Sequence, residues 1–206
     1  MSRPLLRLVL AALILTGLVV NAAPASARKK AAPTAPGKYT EWNGEIDELE
    51  VVQTFKLASY SKVVVEPFDT KDTPLPGKDD NTYAAVKGVL AAPSGPFAQG
   101  LSGELGDKVT VSQGAEGGEK TLLVRGKVVS MDPGSRAKRF WGGFGAGAAG
   151  TAIQGEVVDA ASGQVLLRFT QERRSAAGTF AGDYVELMNR NLVTIGEDLA
   201  GVLKAF

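Results

Sequence analysis

The side chains available for chemistry in this 206-residue chain are restricted, because it contains no cysteine and no histidine. Their absence excludes zinc fingers, haem or iron–sulfur sites ligated by these residues, Ser-His-Asp triads and thiol nucleophiles. An enzyme made from the remaining side chains would need paired carboxylates, a Ser-Lys pair or a metal site of oxygen ligands. None of these is assembled at motif level, and we expect no catalytic residues, no metal site and no cofactor.

Three weaker candidates for chemistry have simpler explanations. Four aspartates lie close together in the sequence: Asp69, Asp72, Asp79 and Asp80. They lack the spacing of a calcium-binding loop, and we interpret them as loop charges. Ser61-Lys62 has no oxyanion context, so a hydrolase is the weakest function class. The run Glu172-Arg173-Arg174 is interpreted as a solvated strand edge that discourages aggregation.

The most distinctive segment lies between two predicted strands and combines cations, aromatic residues and glycines. Its cations and aromatic residues are Arg136, Lys138, Arg139, Phe140, Trp141 and Phe144. Its glycines, which we predict to make it flexible, are Gly142, Gly143, Gly145, Gly147 and Gly150. Arginine beside aromatic anchors is typical of binding hot spots. The six cationic and aromatic residues therefore predict a docking surface for an anionic partner: lipid headgroups, a cell-wall polymer or an acidic protein face.

Two other interpretations of this segment remain open. The aromatic residues could pack under the sheet edge as a small satellite core, while the glycines allow turns with positive φ. Alternatively, Gly145, Gly147 and Gly150 match the G-x-G-x-x-G pattern of dinucleotide sites. That pattern should open a helix inside a βαβ unit, whereas here it leads directly into a predicted strand. A small-ligand or nucleotide site is therefore the alternative function.

The amino terminus has the three parts of a secretory signal peptide. A basic start precedes the apolar run Leu8–Val20, and Ala25-Ser26-Ala27 forms an A-x-A site. The run of about 13 residues is shorter than the roughly 18 needed to cross a bilayer. We predict that residues 1–27 are a signal peptide, cleaved near Ala27, and that the exported chain is soluble and periplasmic or otherwise associated with the envelope. An uncleaved anchor is the alternative, because Arg28–Lys30 could act as a stop-transfer flank.

The charge balance of the exported chain disfavours nucleic acid as a partner. Cleavage takes Arg3 and Arg7 from the 23 basic residues and none from the 22 acidic ones, so the net charge falls from +1 to −1. A protein this close to neutral has no overall field that attracts nucleic acid. The missing cysteine also excludes a lipid-modified cysteine anchor.

The chain after the signal peptide divides into two parts. Residues 28–58 read as a flexible tether rich in Ala, Pro and Lys, followed by an irregular approach with scattered apolar positions that could pair with the sheet edge. Residues 59–206 form the predicted domain. Its predicted strands and helices are, in order, Lys62–Phe68 (strand), Thr82–Ala92 (helix), a second helical piece from Ser94, then the strands Val109–Val111, Thr121–Met131, Ile153–Asp159 and Val165–Gln171, and a carboxyl-terminal helix.

The patterning within these elements predicts which side chains are buried. In the strand from Thr121, the alternation directs Leu122 and Val124 to the core and Arg125 and Lys127 to water. The last helix opens with a predicted capping box of Asp183 and Glu186. Its apolar stripe comprises Met188, Leu192, Ile195, Leu199, Val202, Leu203 and Phe206. We predict one α+β domain, with a mixed four- to five-stranded sheet (a β-α-β unit, then antiparallel hairpins) and helices mainly on one face.

Several stretches together resemble a bacterial envelope family known as domain of unknown function 4410. They are Tyr60–Phe68, Leu122–Arg139, Gly142–Gly147 and Val157–Leu166, and the likeness spans roughly Ser59 to Phe206. The pattern GSR-x-x-R followed by GFG-x-G is its most specific part. The family has no established activity, so the resemblance implies an envelope location and domain boundaries but no mechanism. The layout is also similar to small α+β domains of envelope assembly proteins, which is an analogy of fold.

The combined expectation is a non-enzymatic, exported envelope protein. It would bind another envelope component, either a protein or an anionic surface, and the segment from Arg136 to Gly150 is the expected contact.

Overall fold

The computed structural model describes residues 32–40, 46–134, 148–175 and 183–206. Within them, seven strands form one mixed sheet with three α-helices. The strands are β1 (Gly37–Thr40), β2 (Glu48–Val51), β3 (Lys62–Val65), β4 (Thr110–Gln113), β5 (Thr121–Asp132), β6 (Ala149–Asp159) and β7 (Val165–Ser175). The helices are α1 (Tyr83–Leu90), α2 (Ser94–Leu105) and α3 (Tyr184–Leu203).

The strands lie in the order β1-β2-β7-β6-β5-β3-β4. Strand β3 runs parallel to both of its neighbours, and the other pairs are antiparallel. The predicted β-α-β unit is confirmed, because α1 and α2 connect β3 to its parallel neighbour β4. The predicted α+β domain with a carboxyl-terminal helix is also confirmed.

The predicted number of strands, four to five, is wrong because the segment assigned to a tether and irregular approach contributes β1 and β2. Each has four residues, too few to display a period. Their structure comes from pairing, since β2 adds to the edge of β7 with Leu49 opposite Phe169. Leu49 and Val51 are buried as a result. The expectation that this region could pair with the sheet edge is confirmed.

Two strands extend further towards the glycine-rich segment than predicted. Strand β6 begins at Ala149 rather than Ile153, and β7 continues to Ser175. Gly150 is therefore not a loop glycine, because it lies in β6 opposite both Asp132 and Arg174. Gly150 adopts an extended backbone conformation because it pairs with the strands on both sides, β5 and β7.

The core lies on one face of the sheet and includes residues from all three helices. Val86 of α1, Phe97 of α2 and Leu192 of α3 belong to one cluster with Val63 of β3 and Val124 of β5. Burial of such side chains contributes roughly 1.5–3 kcal/mol each. The predicted stripe of α3 is buried from Met188 to Leu203. This confirms the helical periodicity.

The ends of α3 differ in detail from the prediction. Asp183 precedes the helix, but its side chain makes no capping hydrogen bond, so the capping box is wrong. Its backbone oxygen instead accepts from the Leu187 amide at 3.1 Å. Phe206 lies beyond the helix, where its ring stacks on Phe55 with centroids 4.5 Å apart.

Helices α2 and α3 cross at backbone contact. A Cβ atom on Gly100 would lie 2.0 Å from the Val193 carbonyl oxygen, and one on Gly196 would lie 2.1 Å from the Phe97 carbonyl oxygen. No side chain fits at either position, so these two glycines set the distance between the helices. This crossing holds α3 across the sheet.

Candidate functional site

The predicted docking residues are not among those the structure describes. Lying outside the described ranges are Arg136, Lys138, Arg139, Phe140, Trp141 and Phe144, together with Gly142, Gly143, Gly145 and Gly147. Their role therefore stays a prediction. The structure does define the strands from which this segment begins and ends, and it reveals two charged regions on those strands.

The frame of the segment is the hairpin of β5 and β6. These strands remain paired from Leu122 opposite Asp159 to Asp132 opposite Gly150. In turn, Ala149 lies opposite Ser175 of β7. We call the end of the sheet formed by Asp132, Ala149 and Ser175 the distal end. Residues 135–147 connect two neighbouring strands there.

At the distal end, a buried charged cluster joins β7 to α3 on the core face. Asp198 of α3 accepts hydrogen bonds from Arg173 Nε at 2.5 Å, from Arg173 Nη2 at 2.6 Å and from Gln171 Nε2 at 2.9 Å. The Asp198 side chain is 5% exposed. Two donors from one guanidinium fix both the distance and the orientation of the pair.

A second polar link lies beside this cluster. Asn191 of α3 donates from Nδ2 to the Ala149 carbonyl at 3.1 Å and accepts from Ser175 Oγ at 2.5 Å. The ends of β6 and β7 are thus bound to α3 at the base of the glycine-rich segment. The prediction that Arg173 belongs to a solvated edge is wrong. Side chains alternate between the two faces along β7, and that of Arg173 lies on the core face under α3.

The opposite face of the sheet carries a row of alternating charges, which we call the charge ladder. It consists of Lys38, Glu50, Arg168, Glu156, Arg125 and Glu66 on six successive strands or strand ends. Ion pairs join Lys38 to Glu50 at 3.9 Å, Arg168 to Glu50 at 3.2 Å, Arg168 to Glu156 at 3.9 Å and Arg125 to Glu66 at 3.1 Å. The cationic side chains of Lys38, Arg168 and Arg125 are about half exposed or more.

A second row crosses the same face beside the charge ladder. It runs from Glu48 through Thr170 and Gln154 to Lys127. No described helix covers these two rows, and we call the surface they form the open face. The predicted exposure of Arg125 and Lys127 is confirmed.

Two shallow grooves, of about 290 and 360 Å³, lie on either side of Arg168. Both include Gly155, which lies opposite Gly126 of β5. On the core side, a Cβ atom on Gly155 would lie 2.6 Å from the Phe169 ring, and one on Gly126 would lie 3.1 Å from the Phe68 ring. The aromatic rings of the core thus occupy the space left by this glycine pair.

Beyond the charge ladder, away from the distal end, the same face carries a small apolar cluster. Val64, Leu123 and Val158 are buried there, with Ala160 and Val165 packed against them. A Cβ atom on Gly117 would lie 2.5 Å from the Ala160 Cβ, so the loop between β4 and β5 covers this cluster. This apolar cluster therefore bounds the open face on the side away from the distal end.

One contact that the sequence did not predict joins Tyr60 to Asp159. The Tyr60 hydroxyl donates to Asp159 Oδ2 at 2.8 Å. Burial and this carboxylate raise the pKa of Tyr60 to about 12. Asp159 also accepts from the amide and hydroxyl of Ser162, and these bonds lower its pKa. The contact ties the approach to β3 to the β6–β7 turn.

The described acidic residues form no group of three or more that could hold a metal ion. Asp69 accepts the Lys71 amide at 3.0 Å, and Asp80 accepts from the amide and hydroxyl of Thr82, which lowers the pKa of Asp80. Both side chains therefore act as acceptors within turns. In the same described part, no helix has the length and apolar character needed to cross a bilayer.

Comparison with known proteins relates the chain to a family and to solved structures. No curated protein matches it. Among solved structures, it is similar to the PelC dodecamer from Paraburkholderia phytofirmans, with 13% identity, 73% of this chain and 96% of that chain covered, and a TM-score of 0.44. It is also similar to the hypothetical protein CT253 from Chlamydia trachomatis, with 9% identity, 71% and 99% covered, and a TM-score of 0.40. Residues 63–179 match the family DUF4410, described as a domain of unknown function, and the chain belongs to that family.

Proposed function

We propose that this chain is an exported, non-enzymatic protein of the cell envelope that binds another envelope component through residues 136–150. One observation carries the proposal: the segment rich in cations and aromatic residues connects two long paired strands at the distal end. β5 and β6 stay in register up to Asp132 and Gly150, and Asn191 binds the start of β6. Binding segments are typically held in this way by a rigid scaffold.

The composition of the segment indicates the chemistry of the partner. Arg136, Lys138 and Arg139 supply positive charge, while Phe140 and Trp141 supply large side chains suited to a desolvated contact. Such a group favours an anionic partner with some apolar surface. An acidic face of another envelope protein, an anionic cell-wall polymer and an anionic lipid surface all satisfy this description.

The position of Gly150 weighs against the alternative of a nucleotide site. The chain continues from Gly150 as strand β6 to Asp159. A dinucleotide fingerprint places its last glycine at the start of a helix, whose amides bind the pyrophosphate. The described residues that follow the glycines do not supply such a helix, which weighs against a dinucleotide site.

Export rests on the amino-terminal sequence. Its basic start, short apolar run and A-x-A site support a signal peptide over residues 1–27. Amino-terminal sequencing of the protein recovered from the envelope fraction tests this. We expect the chain to begin near Arg28, and recovery of chains that begin at the initiator would show a retained anchor.

The docking role is tested by crosslinking in the native envelope, followed by capture of the chain. The test variant replaces Arg136, Lys138 and Arg139 with Ala. The matched control replaces three exposed lysines outside the segment, Lys71, Lys78 and Lys87, with Ala, so that both variants lose the same charge. We expect the test variant to lose its crosslinked partner and the control to keep it, with both thermal midpoints close to the parent value.

Other results would contradict this role. A large fall in thermal midpoint for the test variant would show that the segment packs as a satellite core. An unchanged set of crosslinked partners in a folded variant would place the contact elsewhere. Equilibrium dialysis against a panel of nucleotides provides a separate check, because binding there would favour the ligand-binding alternative.

A further inference from the structure

The open face is a sheet surface on which positive and negative side chains alternate in a regular order. A partner with the complementary order of charges would pair with it. We propose that this face is the contact surface for a second copy of the chain, in a dimer with two-fold symmetry. The proposal is independent of residues 136–150 and of the envelope component that they bind. It rests on the order of signs in the charge ladder.

The charge ladder is complementary to itself when it is reversed. A two-fold axis parallel to the strands, passing between β7 and β6, places the first strand of one copy opposite the last of the other. Lys38 then faces Glu66, Glu50 faces Arg125, and Arg168 faces Glu156 of the second copy. Each facing pair has opposite sign, and each occurs twice because the contact is symmetric.

The second row is also complementary to itself when it is reversed. The same axis places Glu48 opposite Lys127, and Thr170 opposite Gln154, of the second copy. A displacement of one copy by one strand, about 4.8 Å, would bring like charges together along the whole charge ladder. The pattern therefore specifies both the partner and the register, as electrostatic complementarity does at other interfaces.

The charge balance favours a second copy over a polymer of one sign. The two rows together carry four cations, Lys38, Arg125, Lys127 and Arg168, and four anions, Glu48, Glu50, Glu66 and Glu156. A surface with no net charge does not attract a polyanion or a polycation. A partner with the same alternation pairs with every position, and a second copy of this chain has that alternation.

The size of the face sets the strength of the contact. Six strands at about 4.8 Å spacing make the charge ladder roughly 24 Å long, and two rows of this length form a small contact of the kind found in weak, transient interfaces. The strands of the two copies would run along each other, as in aligned sheet packing. We expect a dimer that forms with rising protein concentration and weakens as salt screens the charges.

Sedimentation velocity of purified variants tests the proposal. Arg168→Glu makes both central positions of the charge ladder acidic, and Glu156→Arg makes both basic. Each variant alone then places like charges opposite each other, whereas a mixture of the two pairs them correctly again. We expect self-association of each single variant to weaken by about tenfold or more, and the mixture to restore it.

Arg174→Glu is the matched control, because Arg174 is an exposed arginine at the distal end and its row neighbour is Gly150. It makes the same charge change outside the two rows, so it should leave self-association unchanged. A chain that stays monomeric over the concentration range tested would overturn the proposal. So would a dimer that Arg168→Glu leaves intact, or a mixture that fails to restore the dimer while both variants keep the thermal midpoint of the parent.

Discussion

Strand β7 places its arginines in two different environments, one on each face of the sheet. Arg173 points under α3 to Asp198, whose side chain is 5% exposed, whereas Arg168 points to the open face with 51% of its side chain exposed. Both bind carboxylates at hydrogen-bonding distance. The comparison shows that an arginine–carboxylate pair has a structural role on one face and a surface role on the other.

The two kinds of ion pair contribute differently to stability because one is shielded from water and the other is exposed to it. Losing one member of a buried ion pair leaves the other charge desolvated and unpaired, which costs about 3–5 kcal/mol. Water and salt screen an exposed pair, which contributes about 0–1 kcal/mol. The charge ladder therefore adds little to folding. Its ordered signs are better suited to recognition than to stability.

The largest expected effect comes from Asp198→Ala. The change leaves Arg173 without its bidentate acceptor and Gln171 Nε2 without its acceptor. We expect a loss of about 3 kcal/mol in the free energy of unfolding, the low end for a buried pair, because the Arg173 side chain is 34% exposed. Urea denaturation measures it. The double variant with Arg173→Met removes both charges and should recover much of this loss. A loss below about 1 kcal/mol would show that the cluster behaves like the open face.

Gly155→Val tests the boundary between the two faces. A Cβ atom at this position would lie 2.6 Å from Phe169 Cζ and 2.8 Å from the Arg125 carbonyl oxygen, so the core must shift. We expect a loss of about 1–3 kcal/mol in thermal denaturation, which is typical of overpacking. The neighbouring substitution Gln154→Val, on the open face, is the control. Equal effects at both positions would contradict the assignment of faces.

A smaller, pH-dependent effect is expected from Tyr60. Its pKa is about 12 in the folded chain against an ordinary value near 10, so folding favours the protonated phenol. The stabilisation is complete below pH 10 and is lost between pH 10 and 12. Tyr60→Phe should lack this decline in chemical denaturation. Absorbance of tyrosinate gives a second readout, in which one of the four tyrosines should ionise late.

The smallest expected effect is that of Arg168→Met. This change removes exposed ion pairs to Glu50 and Glu156, and we expect the free energy of unfolding to change by less than about 1 kcal/mol. Thermal denaturation at low and high salt measures it, since screening should remove the remaining difference. A loss comparable to that of Asp198→Ala would show that the charge ladder stabilises the fold.

Local patterning was sufficient to predict the elements in which an apolar pattern repeats several times. The stripe of α3 from Met188 to Leu203 and the alternation of β5 were predicted because apolar side chains at these spacings have one arrangement that buries them. The open face left a similar signal, since polar residues alternate in Glu48–Glu50, Gln154–Glu156 and Arg168–Thr170. Their joining into two rows could not be predicted, because register depends on pairing between distant segments.

The missed features all depend on contacts far apart in the chain. Arg173 is 25 residues from Asp198, and Tyr60 is 99 residues from Asp159. Strand β2 acquires its structure from β7, 118 residues away. Gly150 was assigned to a loop because the segment around it is rich in glycine. In the structure it pairs with strands on both sides and lies in the sheet.

Sequence alone thus excluded the sites that need cysteine or histidine, and it predicted the family resemblance and the elements in which an apolar pattern repeats several times. Those features depend on residue types and on spacing within one segment. Tertiary structure added the two short strands, the buried charge under α3 and the rows of the open face. These depend on which distant residues become neighbours, and that is fixed when the whole sheet pairs and one of its faces is covered by helices.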